Sequence, residues 1–300
     1  MTTINKVRNV GDYIRYLGQT EQHPLVGIVD YAEASPIRHS LNNYSVYGLF
    51  MHENPPSDIT YGCGKYDYRN GRLICVAPGQ IGGKEDNGEQ IYLDGWAILF
   101  HPDLLHDTPL GKNIRNYTFF DYNVNEALFM TPEEHDIFVS LMKQIKKELL
   151  GTHDKLLNAI IVDYISLLLN YCLRFYERQF MTRKIESSDV LKRFNRLLEE
   201  YYEQGIQLSM GIPSVHYCAD QLCMSPGYLG DLIKKFTGSS AIGLIHQFIV
   251  QKAKNAIAGG DSMSKVAYDL GFEYPQHLSR MFKRQEGITP TEYYDRLKRK

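Results

Sequence analysis

The chain has 300 residues, of which 43% are hydrophobic and 23% are charged, and its formal net charge at pH 7 is −2. This composition is typical of a folded protein of one to three domains and argues against extensive disorder. The five cysteines are scattered and include no Cys-x-x-Cys pair, so neither a disulfide framework nor a zinc site is expected. The N-terminus lacks the apolar core of a secretory signal, and no apolar run approaches the length of a membrane span. We therefore expect a cytoplasmic protein without a membrane partner.

Charge is distributed unevenly along the chain. Residues 225–300 contain 12 Lys and Arg against 7 Asp and Glu, whereas residues 1–182 contain 16 against 22. A basic end on an acidic body is the pattern expected of a nucleic-acid-binding module attached to another domain. An ordinary solvated surface with its cations at one end gives the same pattern, so charge alone does not decide.

Patterns typical of β-strands dominate from about residue 20 to residue 125. Segments rich in Val, Ile, Tyr and Phe alternate with turn signals, and these segments are 45–51, 73–77, 91–100 and 117–122. Asn70-Gly71 is a candidate type I′ hairpin turn, and the glycine-rich stretch 79–84 is predicted to be a loop. With no helical pattern between the strands, we predict a small antiparallel barrel or sandwich over residues 1–130.

The hydrophobic period becomes helical over residues 131–182. Thr131 followed by a proline and two glutamates is a helix start signal, and Gly151 ends that helix. A second helix over 154–180 carries a broad apolar stripe, which consists of Leu157, Ile161, Tyr164, Ile165, Leu168, Tyr171 and Cys172. This helical hairpin buries its stripe either against its own β domain or against a second copy of itself. The polar residues 183–189, with two serines, are predicted to be a linker.

An internal repeat occupies the C-terminal region, residues 190–300. Residues from Pro226 to Gly238 recur 49 residues later from Pro275 to Gly287, and upstream of the prolines the offset is 48 residues. Each copy has the pattern of a helix-turn-helix, in which a short helix and a tight turn precede a second helix that starts at a proline. Gly271 stands in the second turn, where a left-handed backbone is expected.

A spacer helix is predicted between the two copies, over residues 241–258. Its apolar stripe is predicted to consist of Leu244, Phe248, the stem of Lys252, and Ala256. At 1.5 Å per residue its length is about 27 Å. A rigid spacer of this scale can hold two recognition helices about one turn of B-DNA apart, roughly 34 Å.

Three runs in the second copy resemble the signature of the AraC-type bacterial transcription regulators: AYDLGF at 267–272, LSRMFKR at 278–284 and GITPTEYY at 287–294. The resemblance extends more weakly over about 190–298. It implies a C-terminal domain that binds double-stranded promoter DNA with one recognition helix per unit and acts on RNA polymerase. It also implies a cupin-like N-terminal barrel that senses a small molecule and forms a homodimer, which agrees with the predicted elements as architecture only.

The second recognition helix carries the main candidate contacts. Gln276, His277, Ser279, Arg280, Lys283 and Arg284 lie off its apolar stripe. Arg280 suits a guanine edge and Gln276 an adenine edge, whereas Lys283 and Arg284 suit phosphates. The alternative for each is an ordinary solvated helix residue.

The first recognition helix departs from the family pattern, because Gly227, Gly230 and Asp231 stand where polar or basic residues are common, and Gln251 replaces an arginine in the spacer. Asp231 opposes phosphate, although it can accept from cytosine N4. The candidate contacts on this helix are Tyr228, Asp231, Lys234 and Lys235, and for Tyr228 core packing is an equal alternative.

Other kinds of site have little support in the sequence. His39, His52, His101 and His106 are widely spaced and form no His-x-His cluster, so no metal or other cofactor is expected. A sensory pocket could be lined by aromatic residues such as Tyr44, Tyr47, Phe50, Tyr61 and Trp96, although plain barrel core is the alternative. No familiar catalytic motif is present, so we expect no enzyme.

We therefore predict an α+β protein with a cupin-like antiparallel β barrel (1–130), a helical hairpin for dimerisation (131–182), a linker (183–189) and a double helix-turn-helix domain (190–300). The predicted function is sequence-specific transcription regulation under control of a small-molecule effector. One alternative is a helical protein-interaction module attached to a β-barrel ligand-binding domain. Another is a cupin enzyme with an appended regulator domain, which requires a bound metal.

Overall fold

The chain forms two compact units, Met1–Thr182 and Arg183–Lys300, in a computed structural model. The structure describes residues 4–53, 72–83, 86, 88–123, 126–182 and 184–298, with the backbone alone for 184–188.

The first unit begins with short strands and ends with two long helices. Its strands are β1 (Ile4–Val7), β2 (Val26–Asp30), β3 (Ile37–Arg38), β4 (Leu41–Tyr44), β5 (Tyr47–His52), β6 (Arg72–Val76), β7 (Ile81–Gly83), β8 (Gln90–Ile91), β9 (Gly95–Phe100) and β10 (Leu128–Phe129). Its helices are α1 (Val10–Tyr16), α2 (Pro109–Asn113), α3 (Pro132–Leu150) and α4 (Leu157–Thr182).

The strands of this unit form open sheets rather than the predicted closed barrel. An antiparallel five-stranded sheet has the order β10-β6-β5-β9-β2, a three-stranded sheet has the order β1-β4-β7, and β3 pairs with β8. β1 and β4 run parallel, which a purely antiparallel barrel excludes. Within the described ranges, β2 and β10 end the large sheet without a further partner, so the pairings close no barrel.

The large sheet separates two layers of core. Phe50 pairs with Ala97 and Ile74 in register, and the face that they share packs on α1 and the smaller sheets, together with Val10 and Ile14. Leu49 and Ile98 point to the opposite face, which α3 covers, and both are fully buried. Burial of each such side chain contributes about 1.5–3 kcal/mol. Nearly every position of β9 is therefore apolar, because both of its faces are covered.

Three local predictions in this unit are corrected. Residues 117–122 contain a 3-10 helix, Thr118–Asp121, instead of a strand, and its consecutive Phe119 and Phe120 are both buried. The predicted strand 91–100 is interrupted between Ile91, where β8 ends, and Gly95, where β9 begins. Gly95 has a positive φ, and a β-carbon there would clash with the Met51 carbonyl.

The glycine-rich stretch is a strand in part, since Ile81–Gly83 pairs with β4. At Gly83 a side chain would clash with the carbonyl of Ser40, so glycine permits this close pairing. The predicted turn Asn70-Gly71 lies outside the described residues.

The two helices predicted over residues 131–182 are present as α3 and α4. Thr131 and Glu134 form a reciprocal capping box at the start of α3, and Gly151 caps its end. Five residues of the predicted stripe on α4 are buried within the unit: Leu157, Ile161, Ile165, Leu168 and Cys172. These five side chains therefore pack against their own unit. By length and composition alone α4 could cross a bilayer, which corrects the expectation that no segment approaches a span; here the buried side of α4 belongs to the core.

The second unit is helical. It consists of α5 (Lys184–Glu203), α6 (Gln207–Met210), α7 (Val215–Gln221), α8 (Pro226–Thr237), α9 (Ala241–Ala258), α10 (Met263–Asp269), α11 (Pro275–Glu286) and α12 (Pro290–Lys298). The predicted linker is helical from residue 184, because α5 buries Val190, Phe194, Leu198 and Tyr201 at helical spacing and its polar first turns continue that helix.

The sequence repeat is a repeat of structure. α7 and α10 are seven residues long and 48 residues apart, and α8 and α11 are twelve residues long and 49 residues apart. The correspondence extends beyond the predicted repeat, since α9 and α12 begin at equivalent positions, 241 and 290. Gly238 and Gly287 end the second helix of each copy in the left-handed conformation.

The spacer helix α9 has the predicted bounds but a different buried face. Its buried stripe contains Ile245, Ile249, Ala253 and Ile257. The predicted stripe lies one residue away and is half-buried against α5, where Phe248 contacts the ring of Tyr202 and Lys252 pairs with Glu199 at 2.9 Å. α9 has apolar residues at four-residue steps on two adjacent faces because both faces are covered.

Candidate nucleic-acid interface

One face of α11 is polar and exposed because the opposite face packs in the hydrophobic core. Leu278 and Phe282 are 0% exposed, and their four-residue spacing orients the helix. The residues left on the outer face are Gln276, His277, Arg280, Lys283 and Arg284, all of them exposed. The structure thus brings five of the six predicted side chains of this helix onto one surface, and Ser279 lies partly buried at its edge.

These side chains differ in how many interactions they make with other groups of the protein. Arg280 takes part in no ion pair within the described ranges, so its guanidinium is available to a ligand. Lys283 and Arg296 add to the hydrogen bonds from Thr289 that lower the pKa of Glu292. Burial lowers the pKa of His246, with a smaller contribution from Arg284. Lys283 and Arg284 therefore lie near polar groups of α9 and α12, at the flank of the exposed face.

Two other predicted contacts are held by local interactions. The Ser279 hydroxyl donates to the carbonyl of Pro275 at 3.2 Å, which directs it along its own helix. The ring of His277 packs edge-on against Tyr274, with centroids 5.6 Å apart. Tyr274 is the N-cap of α11 and provides no side-chain cap, in contrast to Ser225, which caps α8.

The equivalent face of α8 has fewer polar and basic side chains. At the 49-residue offset, Gly227, Gly230 and Asp231 occupy the positions of Gln276, Ser279 and Arg280. A β-carbon at Gly230 would meet nothing within 4 Å, so this part of the face is open. Lys234 and Lys235 are exposed at the positions of Lys283 and Arg284, and Asp231 is half-buried.

Tyr228 is 6% exposed and belongs to the core of the first copy. Its neighbour Leu229 is fully buried, and the backbone amide of Tyr228 donates to the Ser225 hydroxyl at 3.1 Å. This burial favours the packing alternative over a DNA contact.

The turns of the two copies have the same geometry but different residues. Amide-to-carbonyl bonds of 2.9 Å close both, from Met224 to Ala219 and from Phe272 to Ala267. Gly271 has a φ of 86°, as predicted, and the equivalent Cys223 has a φ of 58°. No local pattern predicts this backbone conformation for a cysteine.

Sequence reasoning also missed the support of the second turn by α5 and α6. The Gln207 side chain is buried and its amide donates to the carbonyl of Asp269 at 3.0 Å. The Tyr202 hydroxyl donates to the carbonyl of Leu270 at 3.3 Å. A long-range contact between a side chain and a backbone carbonyl leaves no periodic signal in the sequence.

A second candidate site is a cavity of about 420 Å³ in the first unit. Of the aromatic residues considered for a pocket, Tyr44 and Phe50 line it, whereas Tyr47 and Trp96 do not. Tyr61 lies outside the described residues. His39 and His52 also contribute to the wall, but no group of metal-ligating side chains occurs among the residues that the structure describes.

Comparison with known proteins shows what the region of the repeat is similar to. Residues 218–296 match the family model described as "Helix-turn-helix domain". Over 81 residues the chain is 33% identical to the uncharacterized transcriptional regulatory protein YesN of Bacillus subtilis (strain 168), which covers 25% of this chain and 21% of that protein. It is 26% identical over 106 residues to the uncharacterized HTH-type transcriptional regulator YisR of the same organism, which covers 35% of this chain and 34% of YisR.

The chain thus spans about a fifth and a third of the lengths of these two curated relatives. Among solved structures, the C-terminal domain of the two-component response regulator yesN from Fusobacterium nucleatum subsp. nucleatum is 25% identical, with a TM-score of 0.29. That comparison covers 33% of this chain and 96% of the other. Residues 218–296, in the C-terminal unit of this chain, thus contain a helix-turn-helix domain.

Proposed function

We propose that this protein is a sequence-specific, DNA-binding transcription regulator of bacterial promoters, controlled by a small-molecule effector. The observation that carries the proposal is the outer face of α11. It presents Gln276 and Arg280 to solvent on a helix whose other face is anchored by the fully buried Leu278 and Phe282. A helix fixed in this way can enter a major groove without reorganising its core.

The two copies have unequal roles in this proposal. Arg280 reads a guanine and Gln276 an adenine on one half-site, and Lys283 and Arg284 contact the phosphates beside them. The first copy contributes mainly position, through Lys234 and Lys235. Asp231 there tolerates contact with a cytosine N4 amino group but not with phosphate.

The first unit supplies control and assembly. Its cavity is the proposed effector site. The outward side of α4 carries Ile160, Tyr164, Leu167 and Tyr171 at alternating steps of four and three residues, the spacing of a coiled-coil seam. Ile160 and Leu167 are 36% and 44% exposed although both are large aliphatic residues. We propose that a second copy of this chain covers this seam, which makes the working form a cytoplasmic homodimer that acts on RNA polymerase.

The reading role of α11 is tested with the full-length protein on DNA selected from fragments of the source genome. Arg280→Ala should weaken binding by about 1–3 kcal/mol and relax the base preference at one position. Lys283→Ala should weaken binding to all sequences alike and reduce the slope of log affinity against log salt by about one. Lys192→Ala, which removes an exposed charge on α5, is the matched control and should leave both properties unchanged.

Equal binding by the wild type and both α11 variants would refute the assignment of this helix. Complete lack of DNA affinity would refute the proposed function and favour the helical protein-interaction module. For that module the structure offers Leu208 and Met210 on α6, which are 70% and 69% exposed.

A further inference from the structure

An exposed aromatic pair lies at the start of α11. Tyr274 is 47% exposed, and its ring packs edge-on against the ring of His277, with centroids 5.6 Å apart. His277 is exposed as well. Neither residue belongs to the core in which Leu278 and Phe282 are fully buried. The pair therefore presents ring surface to solvent beside the polar outer face of α11.

Tyrosine is an unfavourable residue for the N-cap of a helix. The helices α7 to α10 each begin at a serine whose hydroxyl accepts from a backbone amide of the first turn, and these serines are Ser214, Ser225, Ser240 and Ser262. Tyr274 makes no such hydrogen bond, and loss of a serine cap destabilises a helix. Because Tyr274 is 47% exposed, burial offsets little of this loss. Local rules are most often broken in this way at functional sites.

The equivalent position of the first copy shows which residue satisfies the fold alone. Ser225 there is 2% exposed and caps α8. A proline follows in both copies, and the residue before a proline is held in an extended backbone, as Tyr274 is with a φ of −130° and a ψ of 128°. A serine therefore fits this backbone and completes the helix, whereas the tyrosine adds a side chain that the fold does not need.

The aromatic pair lies where a recognition helix meets base edges. In a helix-turn-helix, the N-terminal residues of the second helix are those that contact the bases. His277 is three residues after Tyr274 and three residues before Arg280, and side chains at this spacing are neighbours on one side of a helix. The pair thus extends the proposed reading face from Arg280 toward the start of α11.

The chemistry of the pair suits an apolar group of a base better than a phosphate. Thymine is the base that presents a methyl group in the major groove, and apolar side chains recognise thymine through this group. Glu273 directly precedes Tyr274 and is exposed. Its negative charge opposes a phosphate beside the ring. A methyl group carries no charge, so Glu273 does not oppose it.

We propose that Tyr274, held by His277, contacts the 5-methyl group of a thymine in the half-site of α11 and so selects that base. Tyr274 is then a further specificity-determining residue of the second copy. The first copy lacks the contact, because Ser225 is buried and has no ring. This inference deepens the proposed function and rests on it, since it requires α11 to enter a major groove.

Exchange of thymine for deoxyuridine tests the contact, because it removes the methyl group alone. The full-length protein is titrated with the selected duplex and with duplexes in which each thymine of the site is replaced in turn. We expect one exchange to weaken binding by the wild type about three- to fivefold, which corresponds to the burial of one methyl group.

Tyr274→Ser, which introduces the residue of the first copy, should bind the thymine and deoxyuridine duplexes with equal affinity at that position. Its thermal unfolding midpoint should not fall below that of the wild type, because serine supplies the missing cap. A loss of selectivity in this variant therefore cannot be ascribed to misfolding.

Two variants are the controls. Tyr274→Phe keeps the ring and should remain sensitive to the exchange. Tyr268→Ser removes another tyrosine of the second unit, which is 55% exposed on α10, and should also remain sensitive.

The inference fails if no exchange weakens binding by the wild type, if Tyr274→Ser remains sensitive, or if Tyr268→Ser becomes insensitive. It also fails if Tyr274→Phe weakens binding to every duplex as much as Tyr274→Ser does, which would indicate a phosphate contact through the hydroxyl. A protein that binds the selected DNA but is insensitive to the exchange loses only this contact. A protein without any affinity for DNA refutes the proposed function itself.

Discussion

Gly271 and Cys223 occupy the same turn position in the two copies, but a β-carbon is more destabilising at residue 271 than at residue 223. Both have a left-handed backbone, but only Gly271 is also in close contact with another element. A β-carbon there would lie 2.8 Å from the carbonyl oxygen of Gln207 and 2.9 Å from the carbonyl carbon of Gly211. Residues at such positions determine whether a turn tolerates variation.

Gly271→Ala is expected to destabilise the second unit by about 1–3 kcal/mol, because left-handed strain and a backbone clash act together. Cys223→Gly removes strain alone and should stabilise the unit by up to about 1 kcal/mol. Urea unfolding of both variants measures the two effects. Equal stabilities of Gly271→Ala and the wild type would contradict the close contact with α6.

The lowered pKa of His52 predicts that the stability of the protein depends on pH. Its pKa is about 4 in the folded protein, against about 6.5 in an unfolded chain, so the unfolded state binds more protons between these pH values. Stability should therefore be full above about pH 6.5 and fall as the pH drops toward 4, by at most about 3 kcal/mol from this residue. Unfolding midpoints of the wild type and His52→Gln across this range provide the measurement.

His106→Gln is the control for this experiment, since His106 is an exposed histidine of the same unit. The variant at residue 52 should flatten the pH dependence, and the variant at residue 106 should not. A pH dependence that survives His52→Gln unchanged would assign it to other groups.

At the scale of elements, α8 and α11 are the same helix with different outer faces. Both have twelve residues, a proline at the start and a left-handed glycine at the end. The inner faces are equivalent, because Leu229 and Ile233 occupy the positions of Leu278 and Phe282. Packing in the core therefore requires similar inner faces in α8 and α11, whereas their outer faces can differ in chemistry.

Gly230→Ala should stabilise α8, because the site is helical and a β-carbon there meets nothing. The expected gain is about 1 kcal/mol, the difference in helix propensity between alanine and glycine. Gly238→Ala is the matched control: it is equally open, but its φ of 74° should make the same substitution destabilising. Thermal unfolding of the two variants should shift in opposite directions, and shifts of the same sign would contradict these helix bounds.

At the scale of the whole molecule, two units with separate cores divide the proposed roles between them. The first unit holds the cavity and the outward seam of α4, and the second holds the recognition helices. The regulatory proposal requires the assembly of two chains, for which the seam is the candidate surface.

Leu167→Glu should convert a dimer to a monomer, because it places a charge at the centre of the α4 seam, where burial of an unpaired carboxylate is costly. Gln144→Glu introduces the same charge on an exposed position of α3 and is the control. Sedimentation velocity of the full chain at several concentrations distinguishes the two. A wild type that is monomeric throughout, or a Leu167→Glu variant that still dimerises, would contradict the use of this seam.

Local chemistry by itself determined much of this protein. The repeat and the terminal glycines placed α8, α9 and α11 within a residue or two, because capping and helical period act over one or two turns. The same reasoning placed α3 and identified the five exposed side chains of α11, since two buried residues four apart orient a helix.

Tertiary structure alone decided the rest. The open sheets depend on which strands pair, and the parallel pairing of β1 with β4 joins segments more than thirty residues apart. The buried face of α9 depended on which of two apolar stripes the neighbouring helices cover. The burial of Tyr228 and the pairing of Arg72 with His52 likewise follow from contacts between elements, where the hydrophobic pattern permits several answers and packing selects one.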